Sequence, residues 1–416
     1  MYANLNYTLL KVVGILWPIS LVFMHFVLIE PITFPVVVFP LVTMWLLLNT
    51  KFELTYLLVA LVLVIYASLL GMHSENSEEF MKSFILFISF ISALLLASKT
   101  KLINSHFFEI SLRLFVWLSF FLALFTILQA ISLNLFSSYT FINPLGPFGR
   151  AGPGGEVYVP HILAVLKKSN AVFSEPSVCG WFLALAAAIT INWNGSRERF
   201  KSIMPLTMLV GAGITGAMSG LLNAIIIVLF WAYLTQKGGK GLLLKGGVLL
   251  VVILAVTVLL SYAPISDRMG EISREGSSTY YRIAAPLMLL ADSLPNYPFG
   301  HALGQIDYIA SKSYMVNWEG GAQFGIHNSF FTIIYYFGIV GVIASLWYLY
   351  FTCRAVILKR KSSLILLALM LVFSETGGLW SPEITLLITY CILIIRHFDQ
   401  STSYPTDKTI RTTGEL

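Results

Sequence analysis

The sequence predicts an all-α polytopic membrane protein of about twelve transmembrane helices with two large periplasmic loops, and three observations predict it. The chain is 57% hydrophobic and 11% charged, with a mean hydropathy of +0.82; soluble domains carry roughly 25% charged residues. Apolar runs close to the length needed to cross a bilayer, ~17–25 residues, recur from end to end. Lysine and arginine fall in alternate turns between these runs, as they do in loops retained on the cytoplasmic side.

The expected spans lie near 8–28, 32–49, 54–71, 83–98, 112–134, 176–193, 203–216, 219–235, 247–263, 328–352, 364–379 and 384–397. The first has only Lys11 as a basic flank and no small-residue cleavage site, so it reads as a retained anchor and not a signal peptide. The seventh and eighth share about 33 residues and read either as two short helices meeting at Thr215–Gly220 or as one long helix. With a cytoplasmic N-terminus and all twelve spans, 18 of the 26 basic residues face the cytoplasm, and 14 of the 20 acidic residues face outward. Merging the seventh and eighth would break that pattern downstream. Residues 1–398 form a single transmembrane domain in this reading, with both termini cytoplasmic, and 399–416 a disordered polar tail.

The two outward loops span about 135–175 and 263–327. The first contains NPLGPFGRAGPGGEVYVP (143–160), in which glycine and proline favour turns, followed by HILAVLKK (161–168), a candidate surface helix. The second is long for a structureless connection, and it can bury apolar surface through Tyr280, Tyr281, Ile283, Leu287, Met288, Leu289, Leu290 and Phe299. It therefore reads as a folded extramembrane cap bearing an active site.

Several outward-facing side chains have chemistry to offer. Glu175 precedes Pro176, which suits a first helical position. Its carboxylate is either a helix N-terminal charge stabilised by ~0.3–1 kcal/mol or a group held to bind a sugar hydroxyl or orient an arginine. Arg282 either reaches a lipid headgroup or offers its planar fork of donors to phosphate oxygens; Arg150, Arg268 and Arg274 are further arginine candidates. His327 follows a Gly-rich stretch and immediately precedes a span, and an imidazole titrating near 6.5 can act as a general base at neutral pH. TGAMSGLLNA (215–224) carries small residues at a spacing that favours close helix packing over a ligand site. Glu375 and Glu383 flank a Gly-Gly turn, a weak hint of paired carboxylates. Cys179, Cys353 and Cys391 have neither the spacing nor the histidine neighbours of a metal or disulfide framework. No Walker or D-x-D motif appears, so no ATP coupling and no divalent-metal cofactor is expected. The formal charge of +6 is a matter of topology here and does not point to nucleic acid.

FSEPS (173–177), ITGAMSG (214–220), EGSSTYYRIAAPL (275–287), YPFGHALG (297–304) and HNSFFTIIYYFGIVG (327–341) resemble the Wzy-type O-antigen and capsule polysaccharide polymerases, most of all the colanic acid type of enteric bacteria. The likeness covers most of the chain from about residue 170, and O-antigen ligases are related. It implies an inverting, metal-independent glycosyltransferase of the bacterial inner membrane, with no cofactor. Such an enzyme joins undecaprenyl-pyrophosphate-linked repeat units at the periplasmic face into O-antigen, capsule or exopolysaccharide. By the resemblance Arg282 holds the pyrophosphate, with Arg150, Arg274, Asn328 and Tyr281 in the same pyrophosphate and glycan site. His327 corresponds to a ligase-type base, and Glu175 is the competing base. The implied partners are donor and acceptor lipid-linked glycans, membrane lipid, a chain-length regulator and a flippase. Two rival readings stand beside it. A ligase transferring polymer to lipid A core shares the architecture, whereas a repeat-unit flippase would need charges inside its spans, and almost none lie there.

Overall fold

The structure, a computed structural model, describes residues 2–29, 32–50, 53–100, 105–135, 169–193, 200–234, 280–306 and 326–403. Eleven of the twelve expected runs fall on helices; the remaining one, 247–263, lies outside the described residues, as do most of both long loops and the tail from 404 onward. In chain order the helices are α1 (Tyr2–Val22), α2 (Phe34–Asn49), α3 (Leu54–Gly71), α4 (Ser77–Lys99), α5 (Ser105–Leu135), α6 (Pro176–Asn192), α7 (Phe200–Ile214) and α8 (Met218–Leu234). A π-helical turn, Tyr280–Ala284, leads into α9 (Ala285–Asn296), followed by α10 (Ser329–Ile357), α11 (Ser363–Glu375) and α12 (Pro382–Ser403). Among the described residues, four helical segments have both the length and the hydropathy to cross a membrane: Leu54–Gly71, Ser77–Lys99, Phe108–Leu135 and Ser329–Ile357. The other apolar helices are shorter.

Two details differ from the sequence reading. A small antiparallel pair, β1 (Val27–Ile29) and β2 (Ile32–Thr33), joins α1 to α2, because β-branched residues there continue past the helix end. The last helix runs to Ser403, beyond the expected start of the tail. The ambiguous seventh and eighth runs are two helices. Gly216 at φ +74° makes the turn between them, a left-handed conformation open to glycine without penalty.

Helix α6 is the axis of the bundle. Every residue from Cys179 to Thr190 is buried, and a helix apolar on all sides belongs in a core. It packs on α5, α7, α8 and α11. Small residues allow one very close approach: a Cβ on Gly180 would lie 2.6 Å from the Gly220 Cα, and one on Gly220 only 2.5 Å from the Ala212 carbonyl oxygen. The TGAMSG stretch is thus a packing element, as its spacing suggests. Tyr390 of α12, fully buried, stacks against Trp17, Phe108 and Phe115, while Trp17 Nε1 donates to the Leu386 carbonyl at 3.2 Å. These contacts close the first helix on the last.

A second apolar cluster joins α3 and α4 to Tyr280, Leu289, Leu290, Leu303, Ile326 and the Tyr335–Phe337 segment of α10. This is the folded part of the cap. Its core is smaller than the sequence suggests, because Ile283, Leu287, Met288 and Phe299 are exposed.

Candidate active site

The polar side chains gather at the two ends of the bundle. At one end Lys99 pairs with Glu53 at 2.8 Å, Trp193 Nε1 donates to Glu109 at 2.7 Å, and Arg396 donates to the Ala97 carbonyl at 2.6 Å. At the other, the cap end, lie the turns that carry the candidate chemistry.

Glu175 stands at the N-cap position of α6, with Pro176 in the first turn. Its side chain does not cap the helix; Oε2 accepts from the Ser177 hydroxyl at 2.9 Å. The segment before it is wired to three helices. Gln129 Oε1 of α5 accepts from the backbone N–H groups of Asn170 and Ala171, both at 2.9 Å. The Ser169 hydroxyl donates to the Ile214 carbonyl at the end of α7. His25, just beyond α1, accepts at Nδ1 from the Ser174 N–H at 3.1 Å. A backbone donor can only donate, so Nδ1 carries no proton and a neutral ring holds its hydrogen on Nε2. Glu175 is therefore carried on a braced loop.

His327 is exposed, immediately ahead of α10. The Asn328 side-chain oxygen accepts from the N–H groups of Phe330 and Phe331 at 3.0 and 3.3 Å, an N-cap worth ~0.5–2 kcal/mol. Sequence reading places Asn328 in the glycan site, and in the structure its oxygen serves the helix. The α11–α12 turn braces the same spot. The Ser329 hydroxyl donates to the Thr376 carbonyl, and a Cβ on Gly377 would fall 1.8 Å from the Ile326 oxygen and 3.2 Å from the His327 Cα. Only a glycine admits that approach.

That turn leads to a group the sequence only hinted at. Glu375 Oε1 accepts from Asn223 Nδ2 at 2.8 Å, joining α11 to the buried side of α8. Glu383 goes elsewhere, accepting from the Thr33 hydroxyl at 2.8 Å, so the two carboxylates have different partners. Helices α6, α10 and α12 all begin at this end, and their N-termini present partial positive charge to it.

Arg282 and Tyr281 lie in the π-helical turn ahead of α9, in the cap; Arg150, Arg268 and Arg274 lie outside the described residues. Three residues of the cap escaped sequence reading as a group. Tyr297, His301 and Tyr335 stack with ring centroids 4.5 and 4.6 Å apart. Burial pushes His301 down to about 4, which keeps it neutral at physiological pH. The spacing of aromatics in YPFGHALG and IIYYFG is the only sign of the stack in the sequence. Among the described residues no group of three or more His, Cys, Asp or Glu has metal-binding geometry.

Fold and site define a helical membrane protein with a group of candidate polar residues at the end of the bundle that carries a folded cap. A family model described as WcaD colanic acid polymerase matches residues 12–397, and the chain belongs to that family. It is 32% identical over 244 residues to an Escherichia coli (strain K12) protein with the name "Putative colanic acid polymerase". That alignment covers 55% of this chain and 57% of the relative, so the match spans little more than half of the relative's length.

Proposed function

We propose that this protein polymerises undecaprenyl-pyrophosphate-linked oligosaccharide repeat units at the periplasmic face of the bacterial inner membrane. What supports the reading is the family match together with the shared position of the candidate groups at the cap end. The exposed His327 is held by the Gly377 turn, that turn leads directly to the Asn223–Glu375 pair, and the braced Glu175 loop lies at the same end. The chemistry is a single inverting displacement. An acceptor hydroxyl attacks the anomeric carbon of the donor, its oxygen–carbon bond forms as the bond to pyrophosphate breaks, and undecaprenyl pyrophosphate departs with the negative charge. His327 takes the hydroxyl proton, with Glu175 as the alternative base. Arg282, joined by Arg150 and Arg274, offsets the charge growing on the leaving group, the role a metal ion plays in other enzymes.

A strain lacking the gene is expected to lose long polymer and to retain single repeat units on the carrier lipid. A normal polymer profile in that strain would end the assignment. Within the protein, Arg282→Lys keeps the charge but loses the planar fork. Both Arg282→Lys and Arg282→Ala are expected to cut polymer strongly at normal membrane levels of protein, the alanine variant more severely. Near-normal polymer from Arg282→Ala would leave that residue as a headgroup anchor.

The reading also requires a defined topology, with both termini cytoplasmic and 263–327 outside. With the exposed Cys353 replaced by serine, cysteines introduced at Gly238 and at the exposed Lys361 are expected to react only from the cytoplasm, and one at Gly276 only from the periplasm. Cytoplasmic labelling at Gly276 would remove the site from its substrate.

A further inference from the structure

Helix α9 is apolar on both faces. One side, with Ala285, Pro286, Leu289 and Leu290, is buried against the cap core. The opposite side presents Ile283, Leu287, Met288, Ala291 and Pro295, all exposed, at helical spacing and with no charge among them. Leu287 is 50% exposed and Ile283 42%. Asp292 and Asn296 stand at one edge of this exposed stripe, and an apolar stripe that wide calls for an apolar neighbour and not water. Its 12 residues extend only ~18 Å, too short to cross the ~30 Å hydrocarbon core.

The structure shows what this face continues. Helix α10 is broken at Gly338 (φ 54°, ψ −131°). Ahead of the break Tyr335, Tyr336 and Phe337 are buried beneath the cap; past it Ile339, Val340, Ile343, Leu346, Trp347 and Tyr350 are exposed, the outward side of a membrane-length helix. The turn following α9 docks on the break itself, where the Ile339 N–H donates to the Pro298 carbonyl at 2.9 Å. That bond sets the exposed apolar residues of α10 past the break beside Tyr297 and Phe299, which follow α9 directly in the chain. From Ile339 to the helix end at Ile357 is about 28 Å at 1.5 Å per residue, one hydrocarbon thickness. The basic run Lys359, Arg360, Lys361 follows at once. The break thus falls at the opposite boundary of the hydrocarbon, where exposed Tyr297 and Phe299 suit the aromatic belt of an interface.

We propose that α9 is a lipid-docked element that lies along the bilayer surface, its Ile283–Leu287–Met288–Ala291–Pro295 face sunk among the acyl chains and Tyr297 and Phe299 at headgroup level. The occupant of this face is the bilayer, in keeping with interfacial helices that bury one apolar side ~5–10 Å into the headgroup–acyl boundary. The inference goes beyond the polymerase reading and stands independently of it. One consequence is that the turn containing Arg282 is anchored at the depth of lipid phosphates.

Full-length protein in phosphatidylcholine vesicles tests this, with Cys353→Ser removing the exposed native cysteine; Cys179 and Cys391 are buried. Nitroxide labels are placed through Leu287→Cys, Met288→Cys and Asn296→Cys, and their collisions with oxygen and with a water-soluble nickel chelate are measured. Labels at 287 and 288 are expected to favour oxygen over the chelate several-fold more than the label at 296. Equal chelate access at all three positions would place the face in water and overturn the proposal. Exclusion of both reagents from 287 and 288 would mean that protein covers the face, a second copy or a partner, and would overturn it equally.

Discussion

Cells whose only copy of this protein carries His327→Ala are expected to lose long polymer and to accumulate single repeat units on the polyprenyl carrier. The side chain is exposed and its backbone is held by the Gly377 turn and the Asn328 cap, so truncation leaves the fold intact. Removing a general base costs roughly 10²–10⁴-fold in rate, enough to eliminate chains that require many successive transfers. Where a separate ligase is present, lipopolysaccharide cores capped by one repeat are expected as well. The carrier-bound species make the result decisive. A ligase with the same lesion would leave fully polymerised chains on the carrier and bare cores, an outcome that would sink the polymerase assignment. Unchanged polymer would move the base to Glu175.

Gly338→Ala is expected to cause the largest loss of stability of any single methyl group added to the cap. The break in α10 has φ 54° and ψ −131°, a conformation open essentially to glycine, costing other residues ~1–3 kcal/mol. The added Cβ would also sit 2.1 Å from the Pro298 carbonyl oxygen and 2.7 Å from the Gly300 nitrogen, both backbone atoms that cannot swing aside. Gly300, at φ +95°, faces the same obstacle from the other strand of the contact, with the Tyr336 carbonyl oxygen 2.3 Å from its Cβ position. Strain and overpacking together reach about 2–6 kcal/mol, a large share of the ~5–15 kcal/mol that holds a typical fold. The measurement is thermal inactivation of detergent-purified protein. Gly213→Ala is the matched control, since its Cβ would meet only the Leu221 side chain at 3.6 Å. A Gly338→Ala protein as heat-resistant as Gly213→Ala would refute the interlock.

Most of the helical layout was legible in the sequence because a bilayer demands long apolar runs, and those runs are local. Pro176 at the start of α6 and the small residues of 215–224 followed from local rules in the same way. The site was less legible, for reasons of distance and disguise. Asn223 sits in an apolar run and looks like a tolerated polar residue until its partner Glu375, 152 positions later, is brought beside it. His25 is hidden at the end of the first span, and nothing nearby announces its bond to Ser174. Gly338 reads as an ordinary glycine in YYFGIVG; only the docking of Pro298 shows that the helix breaks there. The exposed side of α9 was misread as core because apolar residues bound for lipid and for protein have the same composition.

The pairing of Asn223 with Glu375 has a consequence for biogenesis. Helix α8 leaves the ribosome 152 residues before its carboxylate partner, a delay of roughly 8–30 s at ~5–20 residues per second. During that interval α6 and α8 lack α11, which packs on both in the finished bundle, and Asn223 must find provisional hydrogen bonds in the membrane or at the insertion machinery. Arrival of α11 supplies the acceptor, covers the axial helix and, through the Thr376–Ser329 bond, braces the turn that presents His327. Assembly of the cap end is thereby postponed until nearly the whole chain has been inserted, so truncated products are born without it.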